Sequence, residues 1–433
     1  MKSTFLRTVR EFVSIITVEP VPFFYLFSVT LARPSLLNLF LEKACRINLQ
    51  LNDSLCDSIV DGNSLLSSYE EAQIQKVVAD AKTWGSVIEG ALPALLLLIF
   101  GSWSDRCGLQ RPFMILPFVG EILQLTVCIL SLIFFKDVSL NVTIFFCYLL
   151  NSASGAIFVL YMSLCNYIAL STSKSARTLR FGILMIFVEI SNGIGYGFGG
   201  IAYRTLHSLG TFLFCIGFLT VGIGYIAFCI KDVKNTSQDV QSKSLNCSLI
   251  IFDIKNTIQM AFRQRINNGR LKLCLNVLVC FFLKGVMHGE VALNYYFVRK
   301  RLGWTEIDFS IYTSSRVVLD SIASFIGSAY GISIVVTRSY LSKLVAEEEL
   351  GTYLTVYLQI AGKMNGFIGL FEALLPLIFG PLFNLIYRYT VDILDGAFLL
   401  VESMILLPVL IIFMWNYVQY RKDNLKEEKV EES

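Results

Sequence analysis

Long apolar runs separated by short polar breaks dominate the chain. Runs at roughly 12–31, 84–100, 112–135, 142–170, 181–203, 209–230, 271–298, 309–337, 364–387 and 394–418 approach or exceed the ~20 residues that cross a bilayer as a helix. They predict an all-α polytopic membrane protein of about 10 spans. Two longer polar stretches interrupt the series: 32–83 after the first run, and 231–270 after the sixth, rich in Asn, Ser, Gln and basic residues. The chain therefore divides into an N-terminal six-helix bundle over 1–230, with 32–83 as its extracytoplasmic loop, and a cytoplasmic central loop over 231–270. A shorter C-terminal bundle follows over 271–420, then a cytoplasmic tail over 421–433. The charged end of that tail is expected to be disordered.

Composition agrees with the pattern. Of 433 residues, 55% are apolar and only 16% charged, against about 25% charged in ordinary globular proteins. A net charge of +3 without a basic stripe of interleaved aromatics argues against nucleic-acid binding. Lysines and arginines favour, by roughly two to one, the orientation with both termini cytoplasmic. The 32–83 loop is then outside, where Asn52-Asp53-Ser54 is a glycosylation acceptor. Sequons at Asn235 and Asn246 fall inside, and Asn141 lies too close to the membrane. Most cysteines lie in apolar runs as small packing residues; Cys45 and Cys56 would pair as a disulfide if their loop is extracytoplasmic. No His/Cys spacing suits a metal, and neither a Ser-His-Asp triad nor a phosphate loop is present, so no enzyme, cofactor or metal is expected. The first run ends without a small-residue cleavage site and is read as a span rather than a signal peptide.

Ionisable residues inside apolar runs carry the most information, because a charge in hydrocarbon is costly and marks a pathway or a pair. They are Glu19, Glu89, Glu121, Glu189, Lys284, His288, Glu290, Arg316, Asp320, Glu372, Asp395 and Glu402. Glu89, Arg316, Asp395 and Glu402 are read as interfacial side chains that snorkel to water. Glu19 precedes Pro20, whose missing N–H kinks a helix, and is placed near mid-membrane on a cavity wall. Lys284 and His288, four apart, share a helix face. His288 is one of two histidines and titrates near physiological pH; it is either a proton-linked group or a satisfied core residue. Gly193, Gly197 and Gly200 recur at three- and four-residue spacing and are read as a close helix-packing surface.

Between the second and third runs lies Gly101-Ser102-Trp103-Ser104-Asp105-Arg106-Cys107-Gly108, then Arg111-Pro112, a polar stretch read as a bend. Gly101-x-x-x-Asp105-Arg106-x-Gly108 resembles the signature loop of the major facilitator superfamily. That resemblance implies two six-helix halves rocking about a midplane site, with Gly101, Asp105, Arg106, Gly108 and Arg111 as a cytoplasmic gate. Other stretches resemble one branch, the solute carriers that include the proton-coupled folate transporter and the thymic stromal cotransporter. They are Val18-Glu19-Pro20-Val21, Ser175-Ala176-Arg177-Thr178-Leu179-Arg180, Leu302-Gly303-Trp304, Arg338-x-x-Leu341-Ser342-Lys343-Leu344-Val345 and Phe383-Asn384-x-x-Tyr387. By resemblance, Arg338 binds or steers the substrate's negative group, and His288 lies at or beside the family's seventh-helix histidine. With Glu19 and Glu189 these form the expected substrate and proton pathway.

Departures narrow the expectation. Leu109 and Gln110 stand where the superfamily has bases, Met185 where the folate transporter has an acid, and Asp395 where it has a lysine. These differences weaken folate as substrate. The run 309–337 supplies about 44 Å of helix at 1.5 Å per residue, where the family has its eighth, ninth and tenth spans. The expected function is secondary active transport of a small organic anionic or zwitterionic solute by alternating access, with protons as a candidate co-substrate. The expected partners are the bilayer and that solute, in a plasma or lysosomal membrane. The alternative is a non-transporting or regulatory membrane protein, a truncated isoform partnering a full-length transporter; the shortened segment motivates it.

Overall fold

The computed structural model describes residues 17–61, 68–107, 109–172, 174–232, 269–327 and 354–431. All regular structure among these residues is helical. Helix α1 (Val21–Lys43) leads through a π turn (Ala44–Asn48) to the short α2 (Asp53–Asp61), followed by α3 (Ser68–Cys107), α4 (Arg111–Ile133), α5 (Leu140–Ala153) and α6 (Ala156–Ser171). Helix α7 (Lys174–Cys229) comprises two arms joined by a kink at His207, where φ is +55°. The remainder is α8 (Gly269–Leu302), α9 (Glu306–Gly327), α10 (Leu354–Thr390) and α11 (Ala397–Glu431).

The first described helix lies further along the chain than the apolar run suggests. Pro20 and Pro22 occupy its opening turn, where a missing N–H costs no helical bond, and Leu36, Leu37 and Leu39–Leu41 extend it to Lys43. Pro34 inside the helix removes one backbone bond, yet the helix continues. Much of the 32–83 stretch is consequently helical rather than loop: the C-terminal end of α1, all of α2 and the start of α3. A Cys45–Cys56 disulfide, with Cα atoms 5.9 Å apart, ties the π turn to α2. The tail is likewise helical to Glu431, not disordered. Helix α9 ends at Gly327; residues 328–353, and Arg338 with them, lie outside the described residues.

Packing follows from where small residues allow close approach. On one side of α7, a Cβ added at Gly195 would sit 1.9 Å from the Thr30 hydroxyl of α1; on another, a Cβ at Gly200 would sit 2.5 Å from the Glu306 carbonyl of α9. The glycine run is therefore a packing surface with a neighbour on either side. One apolar core joins α1, α4, α5, α6 and α7 through Tyr25, Phe118, Leu164 and Phe212. A second joins α1 and α3 to α8, α10 and α11 through Phe40, Val78, Tyr295, Phe383 and Phe398. This second core is a seam between the two halves of the chain.

The outside is apolar as well. Met404, Leu407 and Ile411 of α11 are each more than half exposed. Four helical stretches, Val21–Asn48, Arg111–Ile133, Leu140–Ser171 and Leu179–Cys229, are long and apolar enough to cross a membrane by length and composition. A chain apolar both within and without leaves its few charges to mark the special places.

Candidate functional site

Glu19-Pro20 is not a mid-membrane kink. It stands just ahead of α1, and the Glu19 carboxylate is fully buried. The carboxylate accepts from the amides of Thr17 and Val18 at 2.8 and 3.0 Å and pairs with Arg180 Nε at 2.6 Å. Arg180 also donates to Ser171 Oγ, Thr172 Oγ1 and Thr17 Oγ1 at 2.9, 2.8 and 3.0 Å. Proline is tolerated at a helix start, so the dipeptide places an acid at the end of α1 instead of bending its middle. The pair links two stretches of the family resemblance, Val18–Val21 and Ser175–Arg180.

The stretch after Gly101 does not bend either, because Gly101 to Cys107 forms the last turns of α3. Trp103 packs edge-on against Phe113, ring centroids 5.7 Å apart. The amides of Gln110 and Arg111, which open α4, both donate to Asp232 Oδ1 at 3.0 Å; a carboxylate there suits the positive end of the helix. The Arg111 guanidinium donates to the Ala227 carbonyl, tying it to the end of α7 in the same half. Gly108 and the side chains of Asp105 and Arg106 lie outside the described residues.

A different group of charges occupies the seam. Arg33 of α1 acts electrostatically on Lys82 and Glu89 of α3, on Tyr148 of α5, and on His288 and Tyr296 of α8. Lys82 is buried, with its ammonium over the Tyr296 ring at 5.1 Å from the centroid, a cation–π contact between the halves. The Tyr296 hydroxyl is buried and has no hydrogen-bond partner among the described residues. Glu89 is half-buried on α3 and feels the charge of both Arg33 and Lys82. Just below it, Gly90 meets the Leu377 backbone of α10, with 2.4 Å from an added Cβ to the amide nitrogen. Among the described residues, His288 is the foreseen pathway residue that joins this group. Glu189 lies exposed on α7 beside Ile186 and Ile190.

Other intramembrane charges are paired. Lys284 bonds Glu372 of α10, and Arg316 of α9 grips Glu290 of α8 through two contacts of 2.5 and 2.8 Å. Glu402 of α11 feels both Glu290 and Arg316. Asp395 pairs with Lys300 at 2.7 Å in the turn before α11. Glu121 accepts from Asn151 Nδ2 at 2.7 Å. The snorkelling expectation therefore fails for Arg316, since a partner in the neighbouring helix holds it.

The seam is closed by polar contacts at the end that the charge balance places outside. Asn38 of α1 donates to Glu306 Oε1 at 3.0 Å and accepts from the Tyr295 hydroxyl at 2.6 Å. Arg299 reaches Glu306 at 3.3 Å and Glu71 of α3 at 3.8 Å. Gln75 donates to the Tyr296 carbonyl at 3.2 Å and accepts from the Tyr387 hydroxyl at 2.7 Å. Glu306 is positioned by a reciprocal cap: the Thr305 amide donates to Asp308 Oδ2 at 2.9 Å, and the Asp308 amide to Thr305 Oγ1 at 3.4 Å. The Thr305 hydroxyl and amide hold the Asp308 carboxyl below the usual carboxylate range.

Residues 65–418 match the model of the Major Facilitator Superfamily. The chain belongs to that superfamily. A probable peptidoglycan muropeptide transporter, SLC46, of Drosophila melanogaster is 20% identical over 439 residues, spanning 88% of this chain and 81% of that protein. Among solved structures, the human organic anion transporter MFSD10 (TETRAN) aligns at TM-score 0.53 and 16% identity, covering 91% of this chain and 98% of that one. A POT family transporter in complex with a thioalcohol-conjugated peptide aligns at TM-score 0.53 and 14% identity, covering 92% and 95%. At such identities the structures establish the superfamily fold, and the fold sets the seam between two halves as the place to look for a site. Arg33, Lys82 and Arg180 escaped the sequence reading. The signal that finds the first two is the apolar continuation after Pro34, which draws Arg33 inside the membrane.

Proposed function

We propose that the chain is a secondary active transporter of a small organic anion or zwitterion, working by alternating access between its two halves. The observation that carries this reading is the Arg33–Lys82–Glu89–His288 group, with Lys82 buried and the others half-buried in the seam, built from both halves. In this seam the charges of Arg33 and Lys82 act on one another, and such a place suits a solute that brings negative charge. The likeness to a muropeptide transporter makes cell-wall fragments, peptides bearing carboxylates, the first solutes to try. In this reading His288 handles a proton, Arg338 steers the solute and the Asp105–Arg106 stretch gates the cytoplasmic end. A glycan on Asn52 and residence in a plasma or lysosomal membrane, with both termini cytoplasmic, complete it.

Uptake of labelled muramyl dipeptide into proteoliposomes holding the full chain tests the proposal, at acidic and neutral outside pH. Saturable uptake that falls on replacing Lys82 is the expected result. Uptake indifferent to an imposed pH gradient would remove the proton while keeping the carrier. No uptake of muramyl dipeptide, folates or small peptides would sink the transport reading.

A further inference from the structure

Glu19, Glu121, Glu290 and Glu306 are the buried carboxylates among the described residues. Glu19, Glu290 and Glu306 each meet an arginine: Arg180, Arg316 and Arg299 in turn. Glu121 of α4 meets a neutral amide instead, with Asn151 Nδ2 donating to it at 2.7 Å. The titratable groups that face it among the described residues are Glu89 of α3, Tyr25 of α1, Cys128 of its own helix and Cys215 of α7. Behind them stand Cys147 of α5, against Cys128, and Tyr161 of α6, beside Tyr25. None of these brings a positive charge. A carboxyl buried without a cation takes up a proton rather than keep its charge.

The surroundings suit that change. Asn151 lies in the last turn of α5, just before Gly155, with φ +79°, breaks the apolar run into α5 and α6. Interrupted helices at membrane depth are where transporters hold their ions. The same Asn151 Nδ2 donates to Gln124 Oε1 at 2.7 Å, while the buried Asn151 Oδ1 has no hydrogen-bond partner among the described residues.

Resting on the transport reading above, we propose that Glu121 is the seat of a coupling proton in the N-terminal half, and that the Asn151 amide registers whether it is loaded. Ionised, the carboxylate accepts from Asn151 Nδ2. When a proton arrives from water, an O–H bond forms on the carboxyl and the group becomes a donor. A half-turn of the Asn151 amide then presents Oδ1, the oxygen otherwise unsatisfied. Gln124, an amide too, turns with it and donates to the same oxygen. Loading thus rewrites the hydrogen bonds at a broken span with no ion pair to separate.

Infrared spectra of the purified full-length chain test the site without any solute. The wild type is expected to show the carbonyl band of a protonated carboxylic acid, fading as pH is raised, and a folded Glu121→Gln variant to lack it. Asn151→Leu should move that band to higher frequency, because the acceptor of its O–H is gone. No such band in the wild type, or one unchanged in Glu121→Gln, would overturn the proposal. In proteoliposomes, Glu121→Gln is expected to cut accumulation of muramyl dipeptide driven by a proton gradient about tenfold, and exchange against preloaded solute only about twofold. Equal loss of both, or wild-type accumulation driven by a sodium gradient instead, also overturns it. Were the wild type to carry no muramyl dipeptide in either mode, that solute class would fall while the infrared band still decides the proton site.

Discussion

Charged groups stand at two places along α1, one just ahead of it and one within it, and they are built on opposite plans. At its start, Glu19 and Arg180 meet with hydrogen bonds to hydroxyls and amides on every side. Fourteen residues on from Glu19, the half-buried Arg33 acts on Lys82, a like charge, which lies over the ring of Tyr296. The first arrangement is complete within the protein and serves architecture: it clamps α1 to the loop before α7. The second gathers like charges at the seam between the halves. A buried charge is therefore a poor marker of function by itself, and like charges gathered between two halves are a better one.

The contrast can be broken experimentally, beginning with its largest consequence. Arg180→Ala leaves Glu19 buried without its cation and should cost about 3–5 kcal/mol, read as loss of folded protein in a melting assay, with Arg180→Lys recovering part. Lys82→Met removes one of the two like charges instead. Its midpoint should hold or rise, while uptake falls about tenfold or more, the equivalent of about 1.4 kcal/mol or greater. A Lys82 variant that melts like Arg180→Ala would erase the distinction between the two groups. Glu306→Gln weakens the polar closure at the outer end; labelling of Leu293→Cys by an impermeant thiol reagent from outside should then rise about threefold or more. Asn52→Gln should have the smallest effect, shifting electrophoretic mobility by one glycan with uptake unchanged. An unshifted band would place the α2 segment out of reach of glycosylation.

How legible was this in the sequence? The helical class and the superfamily resemblance were plain, because 20-residue apolar runs admit few other structures and the Gly101–Gly108 pattern is distinctive. The glycine run was read correctly as packing, since three- and four-residue spacing is itself a geometric statement. The site was mostly hidden by one boundary. Placing the first span at 12–31 put Glu19 in mid-membrane and Arg33 and Lys82 in a loop, whereas prolines at positions 20 and 22 mark a helix start. Partners were hidden for another reason: Glu290 and Arg316, 26 residues apart, or Asn38 and Glu306, 268 apart, meet through tertiary packing that no local pattern encodes. Arg338 and the side chains of Asp105 and Arg106, prominent in the sequence, lie outside the described residues.

The backbone contact of Gly90 with Leu377 has a mechanical consequence. Few side chains interlock at that point, so a rotation of α3 against α10 would take it as its pivot, a hinge pin within the packed interface. Gln75 lies fifteen residues up α3, a lever arm of about 22 Å. A turn of about 15° about the pin would move Gln75 by about 6 Å, well beyond the ~3 Å reach of a hydrogen bond. Its bonds to Tyr296 and Tyr387 must then part together. Small rotations near the charged group thus become large openings at the rim, and replacing glycine 90 by any bulkier residue would jam the pin.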